Sequence, residues 1–155
     1  MTGLMISKIL NYFDELIPNP KCELNYCSDF EFLIAVVLSA QTTDYKVNSV
    51  TKELFKYDIN SLKIEEINNI IKPIGMSLKK SYYVKGIAKY VSKYGIPKSK
   101  DELLKLDGVG NKTANLVLST LYNEPYFAVD THVTRVSKRL GLVSDNAGVL
   151  EIEKK

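Results

Sequence analysis

Lys112 and Asp130 are the residues of this 155-residue sequence whose types and spacing could do chemistry together. A lysine amine is a nucleophile only when neutral, and a helix N-terminus with partial burial disfavours the charged form. A carboxylate beside the amine acts on its pKa in the opposite sense, so Asp130 is better suited to stabilising developing positive charge or moving a proton. The pair suits covalent chemistry on a sugar. Its spacing allows the two groups to meet: residues 112 to 122 read as helix and rise roughly 16 Å. The segment 123 to 129, which contains Pro125, can return at most about 23 Å. Immediately before Lys112, Gly108 and Gly110 bracket Val109. These glycines are expected to supply the positive φ angles of a tight helix-to-helix reversal and to leave backbone amides open to one phosphate group. Each feature also has an ordinary reading: Lys112 as a solvated first-turn lysine, the glycines as a plain turn, Asp130 as the N-cap of the run THVTRV.

The elements that must position these groups are all helical in pattern. Leu4 to Ile17 carries Ile6, Ile9, Leu10, Phe13 and Leu16 at helical spacing and is stopped by Pro18 and Pro20. Ser28 and Glu31 form a capping box for FEFLIAVVLSA, which is apolar nearly all round and should be the buried central helix. It ends abruptly in Gln41, Thr42, Thr43 and Asp44, and Thr43 or Asp44 is expected to cap the next helix, to about Tyr57. Ser61 is expected to open a shorter helix ended by Pro73, and a turn at Ile74, Gly75 and Met76 leads into a long one from Ser77 to Tyr94. On it, Lys85, Lys89 and Lys93 form a basic stripe that reads as a solvated face. Ser99 and Glu102 cap the short helix before the hairpin, and a last helix runs from Asp130 to about Leu140. With no strand signals, the chain is expected to be all-α.

Composition sets the outer bounds. At 45% hydrophobic and 25% charged residues the chain reads as an ordinary globular protein, and its net charge of +3 permits nucleic-acid binding without demanding it. No apolar run is long enough to span a membrane, and an intracellular, cytoplasmic location is expected. Cys22 and Cys27 are too few for a disulfide framework and lack the pairing for a zinc or iron-sulphur site, so no metal is expected.

Three stretches, FEFLIAVVLSAQTTD at 30 to 44, LDGVGNKTAN at 106 to 115 and AVDTHVTRV at 128 to 136, resemble endonuclease III, of the helix-hairpin-helix and Gly/Pro-Asp superfamily of DNA glycosylases. The resemblance implies a six-helix barrel over residues 22 to 128, with its helix-hairpin-helix at about 100 to 122. Residues 1 to 21 and 129 to 155 would form a partial second helical domain. It also implies a bifunctional glycosylase and abasic-site lyase of base excision repair acting on oxidised pyrimidines. Lys112 would attack the sugar C1′, expel the base and form a Schiff base, and elimination would break the strand on the 3′ side, with Asp130 assisting. Gly108, Val109, Gly110 and Thr113 would grip DNA through the hairpin. Gln41 would fill the space left by a flipped nucleotide, and Met76, where the family usually has leucine, would prop the opposite strand. Asp44 would lie near the lesion pocket, and His132 and Arg135 would meet the DNA backbone, as Lys138 and Arg139 could beside them. The partner is double-stranded DNA with a damaged base or abasic site, bound by a monomer.

Two departures weaken the expected grip on phosphate: Asp107 stands where the family usually has proline, and Asn111 where a basic residue is commoner. The family's 4Fe-4S cluster is not expected, because its four cysteine ligands are absent and the sequence stops before that segment. The alternative is therefore a truncated, catalytically impaired DNA-binding fragment of such an enzyme. A mismatch adenine glycosylase of the same superfamily is disfavoured by Lys112 and by QTTD at 41 to 44.

Overall fold

The computed structural model describes residues 3–154, and every regular element among them is a helix. In order these are α1 (Gly3–Leu16), α2 (Asp29–Leu38), α3 (Asp44–Leu54), α4 (Ile64–Ile71), α5 (Ser77–Tyr94), α6 (Lys100–Leu103), α7 (Asn111–Tyr122), α8 (Thr131–Arg139) and α9 (Val149–Glu153). The all-α reading holds. The chain divides into two compact units, Glu23–Ala128 and the pair of segments Met1–Cys22 and Val129–Lys155.

The unit Glu23–Ala128 contains α2 to α7, the six helices of a barrel built around α2. Residues Phe32 to Leu38 of α2 are all buried, as a helix apolar on every side must be when other helices surround it. It packs against α3, α5 and α7, with α4 closing on α3 and α5, and α6 on α7. Val47, Val50 and Leu54 of α3, Ile67 and Ile71 of α4, Val84 and Ile87 of α5, and Ala114, Val117 and Leu118 of α7 complete one continuous core.

Local chemistry sets the ends of these helices. Ser28 Oγ accepts from the Glu31 amide at 3.2 Å, and the Glu31 carboxylate accepts from the Cys27 amide rather than from Ser28 itself. Ser99 Oγ likewise accepts from Glu102 N and donates to its carboxylate. Of two further expected starts, one holds in position and one does not. Thr43 is the N-cap of α3 but makes no side-chain cap bond. Ser61 does not open α4: its hydroxyl donates to Asp58 O, and α4 begins three residues later where the Glu66 carboxylate accepts from Lys63 N at 2.7 Å. The stripe on α5 is also not a plain solvated face. Lys85 Nζ donates to the carbonyls of Ile59, Asn60 and Leu62, closing the turn before α4.

In the second unit, α8 and α9 pack through a small cluster of Val129, Ala147 and Ile152, with Val133 and Val143 against it. The short α9 was not foreseen, because VLEIE spans too few residues to show a period. No residue of α1 is buried.

Candidate functional site

The hairpin before α7 is built around Gly108 and Val109. Val109 N donates to Leu106 O at 3.1 Å, turning the chain, and the Val109 side chain is buried in the barrel core. Neither the side chain nor the amide of Val109 is therefore open to a ligand, against the DNA contact expected of it: the residue anchors the turn. Gly108 has φ +84, and a Cβ there would stand 2.5 Å from Tyr83 Cδ2. Its lack of a side chain serves both the left-handed backbone and the contact with Tyr83 on α5. Gly110 is different from what its sequence position suggests. It is extended, with φ −100 and ψ −178, and a Cβ there would meet nothing within 4 Å. No backbone angle demands glycine at 110; the open space is what its missing side chain leaves.

Gly110 is the N-cap of α7 and has no side chain to accept from the first-turn amides. Asn111, Lys112 and Thr113 make up that turn, where helix geometry points the amides outward along the axis and the macrodipole favours an anion. Lys112 is exposed, against the partial burial expected of it, while Thr113 is half-buried. Asp107 is exposed just before the turn.

Asp130 caps α8. One carboxylate oxygen, Oδ1, accepts from the amides of His132 and Val133, each at 2.9 Å. The cap reading of Asp130 is thus correct, and it also fixes the carboxylate. Asp130→Ala should cost about 1 kcal/mol through the lost cap. Asp130→Asn, which keeps an acceptor oxygen, should unfold within about 0.5 kcal/mol of the unaltered chain in urea. Any loss of activity beyond that in Asp130→Asn then reports the lost carboxylate rather than the lost cap. His132 and Arg135 are exposed on the same helix and contact each other, with Arg135 Nη2 3.1 Å from His132 Nδ1. Arginine only donates, so Nδ1 is the acceptor of this pair.

The other singled-out residues lie in the barrel unit. Gln41 is exposed on the turn after α2, Asp44 is half-buried as the first residue of α3, and Met76 is the N-cap of α5 and 53% exposed. Gln41 (φ 55) and Met76 (φ 56) share a left-handed backbone that, among the described non-glycine residues, only Asn123 also adopts.

A family model for HhH-GPD superfamily base excision DNA repair proteins matches residues 34–155, which takes in the α2 turn, the hairpin and α8. The chain belongs to the HhH-GPD superfamily. Within it the likeness is to endonuclease III. The Bacillus subtilis endonuclease III is 45% identical over 153 residues, an alignment spanning 94% of this chain and 70% of that protein. A trapped endonuclease III–DNA covalent intermediate superposes with a TM-score of 0.90 at 43% identity, covering 99% of this chain and 76% of the other. A non-covalent endonuclease III–DNA complex gives the same TM-score at 45% identity. Membership makes the chain a DNA glycosylase by family.

Three residues of this HhH-GPD chain escaped the sequence reading. Tyr83 is the surface on which Gly108 rests. Asn115 is buried on α7 and donates to Phe127 O at 3.0 Å, tying the helix that carries Lys112 to the segment that runs into Asp130 three residues later. Lys80 is 2% exposed, and its ammonium donates at 2.8 Å to each of Leu38 O, Ala40 O and Thr42 Oγ1. Burial lowers its pKa below the ordinary lysine value. The signal for Lys80 was present, since it lies in helical register with the buried Val84, Ile87 and Ala88. A lysine in an apolar stripe must have acceptors waiting for it.

Proposed function

We propose that the chain is a bifunctional DNA glycosylase and abasic-site lyase that removes oxidised pyrimidines. The observation that carries this is Lys112, exposed on the first turn of α7 directly beyond the glycine hairpin. In this reading the Lys112 amine forms a bond to C1′ as the glycosidic bond breaks and the base leaves with the bonding pair. Ring opening gives a Schiff base, and loss of a C2′ proton expels the 3′ phosphate by β-elimination. Asp130 stabilises the positive charge that develops on the sugar or moves a proton. The relative solved as a trapped covalent intermediate with DNA supports a nucleophile on the protein.

Recognition falls to the rest. Amides of Gly108, Gly110 and Thr113 receive a phosphate of the DNA, the expected Val109 amide being taken by Leu106 O, and His132 and Arg135 meet the backbone. Gln41 fills the vacated stack, Met76 props the opposite strand and Asp44 borders the pocket for the extruded base. The partner is duplex DNA with a damaged base or abasic site, bound by a single copy of the chain, with a cytoplasmic, DNA-associated location. No helix among the described residues is long and apolar enough to cross a membrane. A 4Fe-4S cluster needs four thiolates; the chain has only Cys22 and Cys27, both exposed. These residues do not fit such a cluster, and no step here uses one.

Borohydride trapping on a duplex with a single abasic site tests the reading. A covalent adduct with the chain, absent in Lys112→Ala, is expected. No adduct from the folded protein would leave a DNA-binding protein without lyase chemistry. Binding to the same duplex should also weaken steeply with salt, the slope of log K against log salt changing by about 0.9 per phosphate contact. An affinity indifferent to salt would remove the phosphate role from the hairpin.

A further inference from the structure

Gln41 and Met76 are held by the same buried lysine. Lys80 lies one helical turn after Met76 on α5, and its amide donates to Met76 O at 2.9 Å. Its ammonium reaches across to the end of α2, where Leu38 O, Ala40 O and Thr42 Oγ1 take one bond each. An ammonium has three hydrogens, so this set uses its full donor capacity. No carboxylate is among these acceptors: the charge is held by the last carbonyl of α2, at the negative end of that helix dipole, and by a carbonyl and a hydroxyl of the turn that follows. Two of the three acceptors, Ala40 O and Thr42 Oγ1, flank Gln41. The Thr42 amide adds a bond to Ser39 O at 3.0 Å. The residue between those anchors has little freedom, which explains how glutamine stays at a φ that disfavours it. Backbone strain of this kind persists where the surroundings over-determine it, and it gathers at functional sites.

We propose that Lys80 is a positioning residue for DNA distortion: its ammonium fixes the Gln41 turn against the first turn of α5, so that Gln41 and Met76 are presented to the duplex already in their working conformations. A rigid pair does not have to be ordered on binding, which would otherwise cost affinity. The inference rests on the reading of Gln41 and Met76 as residues that enter the duplex. Only a duplex has a stack to refill. A single strand with the same abasic site does not.

The test compares binding of the full chain to a tetrahydrofuran abasic analogue in duplex and in single-stranded DNA by fluorescence anisotropy, for the unaltered chain, Gln41→Ala, Thr42→Val, Lys80→Met and the double variant Gln41→Ala/Lys80→Met. Duplex affinity should fall tenfold or more in Lys80→Met and severalfold in Thr42→Val, with single-strand affinity within twofold. The double variant should lose little beyond the larger single loss, because Lys80 acts through Gln41. If Gln41→Ala leaves the ratio of duplex to single-strand affinity unchanged, or the unaltered chain binds neither DNA, the reading of Gln41 fails and this inference with it. If Gln41→Ala lowers the ratio but Thr42→Val and Lys80→Met do not, Lys80 positions nothing. Equal losses on both DNAs, or additive losses in the double variant, make Lys80 a purely structural residue. Thr42→Val decides alone should Lys80→Met not fold.

Discussion

Lys112→Gln should lower strand cleavage at an abasic site by roughly a thousandfold or more, as expected when a covalent nucleophile is removed, while folding and duplex binding stay close to those of the unaltered chain. Lys112 is exposed on α7, so its loss opens no cavity. Glutamine and lysine have nearly equal helix propensity, and surface changes of this kind stay within about 0.5 kcal/mol. Removing one positive charge takes away at most one phosphate contact. Lys112→Arg sharpens the result: it keeps the charge, but a guanidinium does not lose its proton and cannot form the Schiff base. Cleavage by single-turnover gel assay, with urea unfolding and anisotropy alongside, separates chemistry from fold and affinity. Lys112→Arg cleaving at a rate near that of the unaltered chain would move the nucleophile to another amine.

That the hairpin turn and the Asp130 cap were legible before the fold follows from how locally they are encoded. Lys112, the hairpin and the Asp130 cap lie within one short stretch, and helix starts and glycines are readable from neighbours in sequence. The central helix was equally plain, since seven consecutive apolar residues from Phe32 to Leu38 leave no polar face to expose. What was hidden depends on residues far apart in the chain. Lys80 and Leu38 are 42 residues apart, and Lys85 and Asn60 are 25 apart. Pattern alone showed lysines on a helix; only the fold reveals that Lys85 ends among three carbonyls and Lys80 among two carbonyls and a hydroxyl. Gly108 and Gly110 make the same point at short range. They look alike in sequence, but one has a left-handed backbone against Tyr83 and the other an extended one facing open space.

Substituting these two glycines should therefore have opposite effects on stability. Gly108→Ala places a Cβ 2.5 Å from Tyr83 Cδ2 and 2.7 Å from Cγ, at φ +84. The left-handed backbone costs an alanine about 1–2 kcal/mol, and forcing the ring aside adds about 1–3 kcal/mol. Tyr83→Ala in the same chain should relieve the second cost but not the first. Gly110→Ser meets neither obstacle. Serine is a better N-cap than glycine by a few tenths of a kcal/mol, and its hydroxyl can accept from the first-turn amides of α7. That gain should weaken DNA binding, because the hydroxyl then occupies the donors that a phosphate needs. Urea unfolding and anisotropy on an abasic duplex read both quantities on the same samples. Gly108→Ala should lose stability and affinity together, whereas Gly110→Ser should gain the first and lose the second. Unchanged affinity in Gly110→Ser would mean that the hairpin turns the chain and does not hold the phosphate.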